Sequence, residues 1–151
     1  MGFPRESDAS GQVTFEHIGP ATYSAEFRGP NVWPTKTLVE AKENPAIQTV
    51  ELRRVGDLVF SVLDQSGNGR AGLYVHLESL DLNQSAEEWI TEGKLLTSPP
   101  STTTDGAGNL TFPTIPRGAY RWAVLQDGVE LSAGQTDLAA GERKTISIEL
   151  P

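Results

Sequence analysis

Residues 58 to 63, Leu-Val-Phe-Ser-Val-Leu, form a β-branched and aromatic run that stops at the turn cluster Asp64-Gln65-Ser66-Gly67-Asn68-Gly69. In the next run, Leu73, Val75 and Leu77 alternate with Tyr74, His76 and Glu78, the pattern of a half-buried strand. A second turn, Asp105-Gly106-Ala107-Gly108-Asn109, leads into the alternating Leu110-Thr111-Phe112. After a bend at 113–118, Tyr120, Trp122 and Val124 share one phase, and Asp127-Gly128 is a signal for a primed hairpin turn. Residues 145–150 close the chain with clean period-2 alternation. Short strands at this spacing predict an antiparallel sandwich. Its expected core is Leu58, Phe60, Val62, Leu73, Val75, Leu77, Leu110, Phe112, Tyr120, Trp122, Ile146, Ile148 and Leu150.

One stretch breaks the period. Ser85-Ala86-Glu87-Glu88 has the form of a capping box, and Ala86, Trp89 and Ile90 then fall at i, i+3 and i+4. Glu87 and Glu88 suit the positive end of a helix dipole, and Gly93 is a stop. A short helix over 86–92 is predicted, inside an inter-strand insertion at about 80–103. Ser98-Pro99-Pro100-Ser101 reads as an extended, mobile return.

The chain also repeats itself. Asp105 to Phe112 matches Asp8 to Phe15 at a spacing of 97 residues, and the match continues without a gap. Ile18 aligns with Ile115, Tyr23 with Tyr120, Ala25 with Trp122 and Phe27 with Val124; Val50-Glu51-Leu52 then aligns with Ile148-Glu149-Leu150. The counterpart of residues 58–104 would lie before Met1. Residues 1–54 therefore read as the back half of one sandwich repeat, and 55–151 as a complete one. The half repeat presents Val13, Phe15, Tyr23, Ala25, Phe27, Val50 and Leu52 as one apolar face. About 50 residues without cystines or metal rarely close a core alone, and open strand edges invite pairing.

Residues 58–150 resemble the carboxypeptidase regulatory-like domain, a transthyretin-like (prealbumin-like) seven-stranded sandwich. The residues that carry the likeness are Val62-Leu63-Asp64-x-x-Gly67, Gly72 to Leu77, Thr104-Asp105-x-x-Gly108-Asn109-Leu110-Thr111-Phe112, and Ile115-Pro116-x-Gly118-x-Tyr120. In the weaker copy over 8–52, Gly19-Pro20-Ala21-Thr22-Tyr23 replaces Pro116-Arg117-Gly118-Ala119-Tyr120. The resemblance implies an all-β fold: a transthyretin-like antiparallel sandwich in tandem, with one short helix in the insertion. It also implies a corner tyrosine at Tyr120 and a mostly non-catalytic role as spacer, stalk, adhesive or accessory domain. The related collagen-adhesin B-type domains often hold an isopeptide bond from a Lys on the first strand. Residues 58–63 contain no Lys, so none is expected within 58–150.

Composition narrows the classes. The 151 residues include no Cys, which excludes a disulfide framework, thiolate metal sites and a Cys nucleophile. That lack also favours a bacterial or phage source over a secreted animal module. A net charge of −8 disfavours nucleic acid and anionic lipid as partners. No apolar run is long enough to span a bilayer, and Met1-Gly2-Phe3-Pro4-Arg5 is not a signal peptide.

The candidate chemistry is sparse. His17 and His76 are the only histidines, and no nucleophile-elbow motif accompanies them. Asp64, Asn68, Asp105 and Asn109 offer oxygen ligands in turns and are weak calcium candidates. A calcium loop would want more carboxylates at alternate positions, and Asx-turn chemistry is the favoured reading. Trp33 and Trp89 are unexplained by strand phase. Each is either an exposed platform for a sugar or an interface, or a cover for an open end of its own sandwich; the second is favoured because large apolar groups are usually covered. Asn83-Gln84-Ser85 and Asn109-Leu110-Thr111 fit the glycosylation sequon.

These readings point to a non-catalytic structural or assembly module, without a cofactor, of an exported surface protein or a virion. Its expected partner is a second copy or another chain that completes residues 1–54, through strand addition or a swapped half. The alternative is a carbohydrate- or ligand-binding accessory module that uses Trp33 or Trp89.

Overall fold

A computed structural model describes residues 4–16, 18–42, 47–97 and 101–151. His17 and the 98–100 portion of the return lie outside them. The elements, in order, are β1 (Ala21–Phe27), β2 (Thr35–Ala41), β3 (Val55–Leu63), β4 (Tyr74–Ser79) and β5 (Gln84–Ser85). Helix α1 (Ala86–Thr91), β6 (Asn109–Pro116), β7 (Gly118–Gln126), β8 (Val129–Leu138) and β9 (Arg143–Glu149) follow. The chain divides into two compact units: Met1–Glu26 with Lys36–Val50, and Phe27–Thr35 with Glu51–Pro151.

The second unit is an all-β sandwich of a three-stranded sheet, β6-β3-β9, and a four-stranded sheet, β5-β4-β7-β8. Its strands arise where the sequence alternates. Leu58, Phe60 and Val62 of β3 are fully buried, as are Val75 and Leu77 of β4, Leu110 and Phe112 of β6, and Tyr120 and Val124 of β7. Phe60 joins the two layers, with its ring centroid 5.7 Å from Phe112 and 5.8 Å from Trp122, both edge-on. Ile146 departs from its expected burial and is only half-buried, because β9 is an edge strand packed against the core from the rim.

One ladder is not antiparallel. β9 runs parallel to β3, with Phe60 opposite Ile146 and Val62 opposite Ile148. The reason lies in the connection from β8. The Gly141 amide bonds to the Val55 carbonyl (2.9 Å) and the Asp57 amide to the Glu142 carbonyl (2.8 Å). β9 therefore starts beside the start of β3 and must run with it.

The hairpin at Asp127 takes the expected primed form, with Asp127 at φ 50. Ser85 caps α1 as its sequence requires, accepting the Glu88 amide at 3.3 Å. Ala86 and Trp89 face inward and are fully buried, and Leu95 joins them just past the helix end.

The first unit contains β1 and β2, which form a two-stranded sheet. Alternation over 12–16 and 47–52 led to the expectation of further strands, yet these described residues are assigned to none. A strand needs a partner ladder, and an isolated two-stranded ribbon is marginal in water.

Candidate functional site

The first unit presents an unfinished apolar surface. Tyr23 and Ala25 on β1, and Thr37, Val39 and Ala41 on β2, lie on one face and are only half-buried. Among its described residues none is buried. Phe15 is 41% exposed, Leu38 66% and Ile47 88%. Leu38 points the opposite way from Val39, so the strand offers large apolar groups on both faces. Single exposed apolar residues are ordinary, but a unit without any covered ones is not.

Two local devices hold this unit's backbone, and both recur 97 residues later. Asp8 Oδ1 accepts the amides of Ser10 and Gln12, each at 2.9 Å, and Asp105 Oδ1 accepts those of Ala107 and Asn109, each also at 2.9 Å. The Tyr23 hydroxyl donates to the Gly19 carbonyl at 2.7 Å, and the Tyr120 hydroxyl donates to the Pro116 carbonyl. Burial pushes the Tyr120 hydroxyl well above the usual tyrosine range. The copies differ one step away. At Gly118, with φ 139, a Cβ would collide with the Asp81 carboxylate, whereas the first unit carries Ala21 at the matching position.

The weak calcium candidates form turns. Asp64 Oδ1 accepts the amides of Ser66 (2.8 Å) and Asn68 (3.0 Å), repeating the arrangement at Asp105. The Asp64 amide in turn donates to the Asn68 carbonyl (2.8 Å), and the Asp105 amide to the Asn109 carbonyl (2.9 Å). One oxygen of each carboxylate is thus committed to its own backbone, as in an Asx turn. The Asn68 amide bond is the largest cause holding the Asp64 carboxyl below its usual range; for Asp8 it is the Ser10 hydroxyl. Among the described residues no group of three or more His, Asp or Glu side chains could hold a metal ion.

Trp33 and Trp89 belong to the second unit, and both are covered: Trp33 is 5% exposed and Trp89 fully buried. Their ring centroids lie 4.8 Å apart, and Trp89 meets Tyr120 edge-on at 6.3 Å. The Trp89 indole N–H donates to Gln84 Oε1 at 2.8 Å, which satisfies its polar end. The Trp33 amide donates to the Arg53 carbonyl (2.8 Å) and the Val55 amide to the Asn31 carbonyl (3.1 Å), so a short bridge seats the ring. The two rings cover the end of a sandwich, and no open face remains for stacking a sugar.

A polar cluster links α1 to β4, and sequence reading did not find it. Glu87 Oε1 accepts the Tyr74 hydroxyl and lies 3.3 Å from His76 Nδ1. Burial, followed by the bond to Glu87, raises the Tyr74 hydroxyl above its usual range. Tyr74 and His76 share a strand face by their spacing of two, which the sequence shows. That Glu87 of the insertion lands on that face is a matter of docking. This cluster fastens the helix to the sheet.

No family model and no curated protein matches the chain. Solved structures with some likeness include a streptococcal ancillary pilin, with 16% identity and a TM-score of 0.44 over 89% of this chain and 46% of that one. A minor pilin of Streptococcus agalactiae has 16% identity and a TM-score of 0.46 over 95% of this chain and 65% of that one. The major pilin subunit of Bacillus cereus has 14% identity and a TM-score of 0.44 over 89% of this chain and 40% of that one. The chain spans less than two thirds of each of these proteins. The class that the ladders and the core themselves define is an all-β sandwich protein. Among the described residues no helix is long and apolar enough to cross a membrane.

Proposed function

We propose that this chain is a non-catalytic structural module of an exported surface protein or a virion, and that it assembles when another chain completes residues 1–54. One observation carries the proposal. Phe15 and Phe112 stand at the same distance after matching Asp turns, yet Phe112 is fully buried and Phe15 is 41% exposed. The shared turn and the shared tyrosine-to-carbonyl bond support reading 8–52 as a partial copy of the transthyretin-like sandwich. The exposed phenylalanine marks what that copy lacks. Covering it and its neighbours gives the free energy of association, at roughly 25 cal/mol per Å² of apolar surface before the costs of ordering.

Light scattering over a wide concentration range tests the proposal. The expected result is a mass that rises with concentration and falls back to that of one chain in Phe15→Asp. A monomer at every concentration, with amides of residues 12–52 protected from exchange, would show that the half repeat is stable by itself and would remove the assembly reading.

A further inference from the structure

We infer that the element covering the first unit is a two-stranded hairpin patterned like β3–β4, carried on another chain. This rests on the reading of 8–52 as a partial copy, and the second unit supplies the template. There, β3 lies between β6 and β9, antiparallel to one and parallel to the other. Leu58 stands opposite Phe112, Phe60 opposite Leu110 and Ile146, and Val62 opposite Ile148. β4 occupies the side of β7 away from β8, with Leu77 opposite Trp122 and Val75 opposite Val124.

Carried back through the repeat, Leu110 and Phe112 become Val13 and Phe15, and Ile148 becomes Val50. β7 and β8 become β1 and β2. β1 is bonded to β2 on one side. Its other edge is the one that β4 fills on β7. Residues 12–16 and 47–50 belong to no ladder among the described residues. They are the segments that a β3-like strand would join, because in the second unit β3 is the only strand bonded to both β6 and β9. A single strand added to the edge of β1 would leave both segments unpaired, as would two copies meeting face to face. A hairpin satisfies the edge of β1 and the two segments together.

The side chains agree. Phe60 fills the space between Phe112 and Trp122. In the first unit those neighbours are Phe15 and Ala25, so the incoming strand needs an aromatic or larger apolar group there, with apolar residues two positions to either side.

The test restores the hairpin within one chain. Residues 55–104 are fused directly ahead of Asp8, which holds the place of Asp105, so that the connection from β4 is reproduced. Hydrogen exchange is compared with the parent chain at a concentration where the parent is dispersed. The expected result is exchange slower by about a hundredfold or more at residues 12–16 and 21–26, loss of concentration-dependent assembly, and return of fast exchange in the fused chain carrying Phe15→Asp. Exchange at 12–16 as fast as in the parent, while amides of β3 and β7 stay protected, would overturn the inference. If the fused chain does not fold, a peptide of residues 55–79 added to the parent provides the same readout, with the same two outcomes. The two readings fail separately. A parent that assembles while the fused chain stays unprotected and still assembles keeps the structural role and loses the hairpin. A parent that is monomeric with 12–52 protected loses both.

Discussion

Phe15 and Phe112 follow the same kind of aspartate turn, at the same distance, in two units of one chain. In the second unit the ring is enclosed by Phe60 and by the layer beyond it. In the first it is 41% exposed beside Ile47 and Leu38, which are more exposed still. Tyr23 and Tyr120 show the same contrast, since each donates to the carbonyl four residues earlier but only Tyr120 is fully buried. The difference teaches that turns and corner bonds are local and form in either unit. Burial needs a second layer, and only the second unit has β3 and β4 to provide it.

The sharpest way to break this comparison is to truncate the two rings in parallel. Phe112→Ala is expected to cost about 3–5 kcal/mol by chemical denaturation, as for other large core side chains. Phe15→Ala in the dispersed chain should cost less than about 0.5 kcal/mol. Similar losses at both sites would mean that the first unit has a core after all. A second pair removes the hydroxyls. Tyr120→Phe leaves the Pro116 carbonyl buried without its donor and should cost about 1–3 kcal/mol. Tyr23→Phe exposes the Gly19 carbonyl to water and should change stability by less than about 0.5 kcal/mol.

A smaller effect tests the helix. Ser85→Ala removes the acceptor for the Glu88 amide and should cost roughly 0.5–2 kcal/mol, seen as faster exchange in 86–92 and a red shift of Trp89 emission. The smallest effect sharpens the comparison through pH. Asp8 and Asp64 are held below the ordinary value of 3.8 by bonds within their turns. A depressed carboxyl stabilises the folded turn above that ordinary value, and the contribution is lost as pH falls through the lower, folded one. Carboxyl titration by NMR should therefore place both midpoints below 3.8. An Asp8 midpoint at the ordinary value with Asp64 still depressed would mean that the first unit's turn is not held in the dispersed chain.

The strands of the second unit, the helix and its cap were legible because each rests on a pattern within a dozen residues. Leu58, Phe60 and Val62 alternate, and Ser85 precedes Glu88 by three. Trp33 was not legible in the same way. It lies between Val32 and Pro34 with no period around it, and it is buried because Asn31 and Arg53, far apart in sequence, bond across to Val55 and Trp33. Glu87 was read as a dipole partner of the helix; its bond to Tyr74 depends on where the insertion docks. Ile146 has the same phase as Ile148 but sits at the sheet rim, a position that alternation does not encode.

By itself the sequence determined which residues alternate, where the chain turns, where the helix begins and that part of the chain repeats. These follow from backbone sterics and from hydrogen bonds spanning a few residues. The tertiary structure alone decided that β9 runs parallel to β3, that Trp33 and Trp89 close on each other, and that the two copies of one pattern differ in burial. Each of these depends on which distant strand or ring arrives as a partner, and hydrophobic burial is a property of that arrival rather than of the residue.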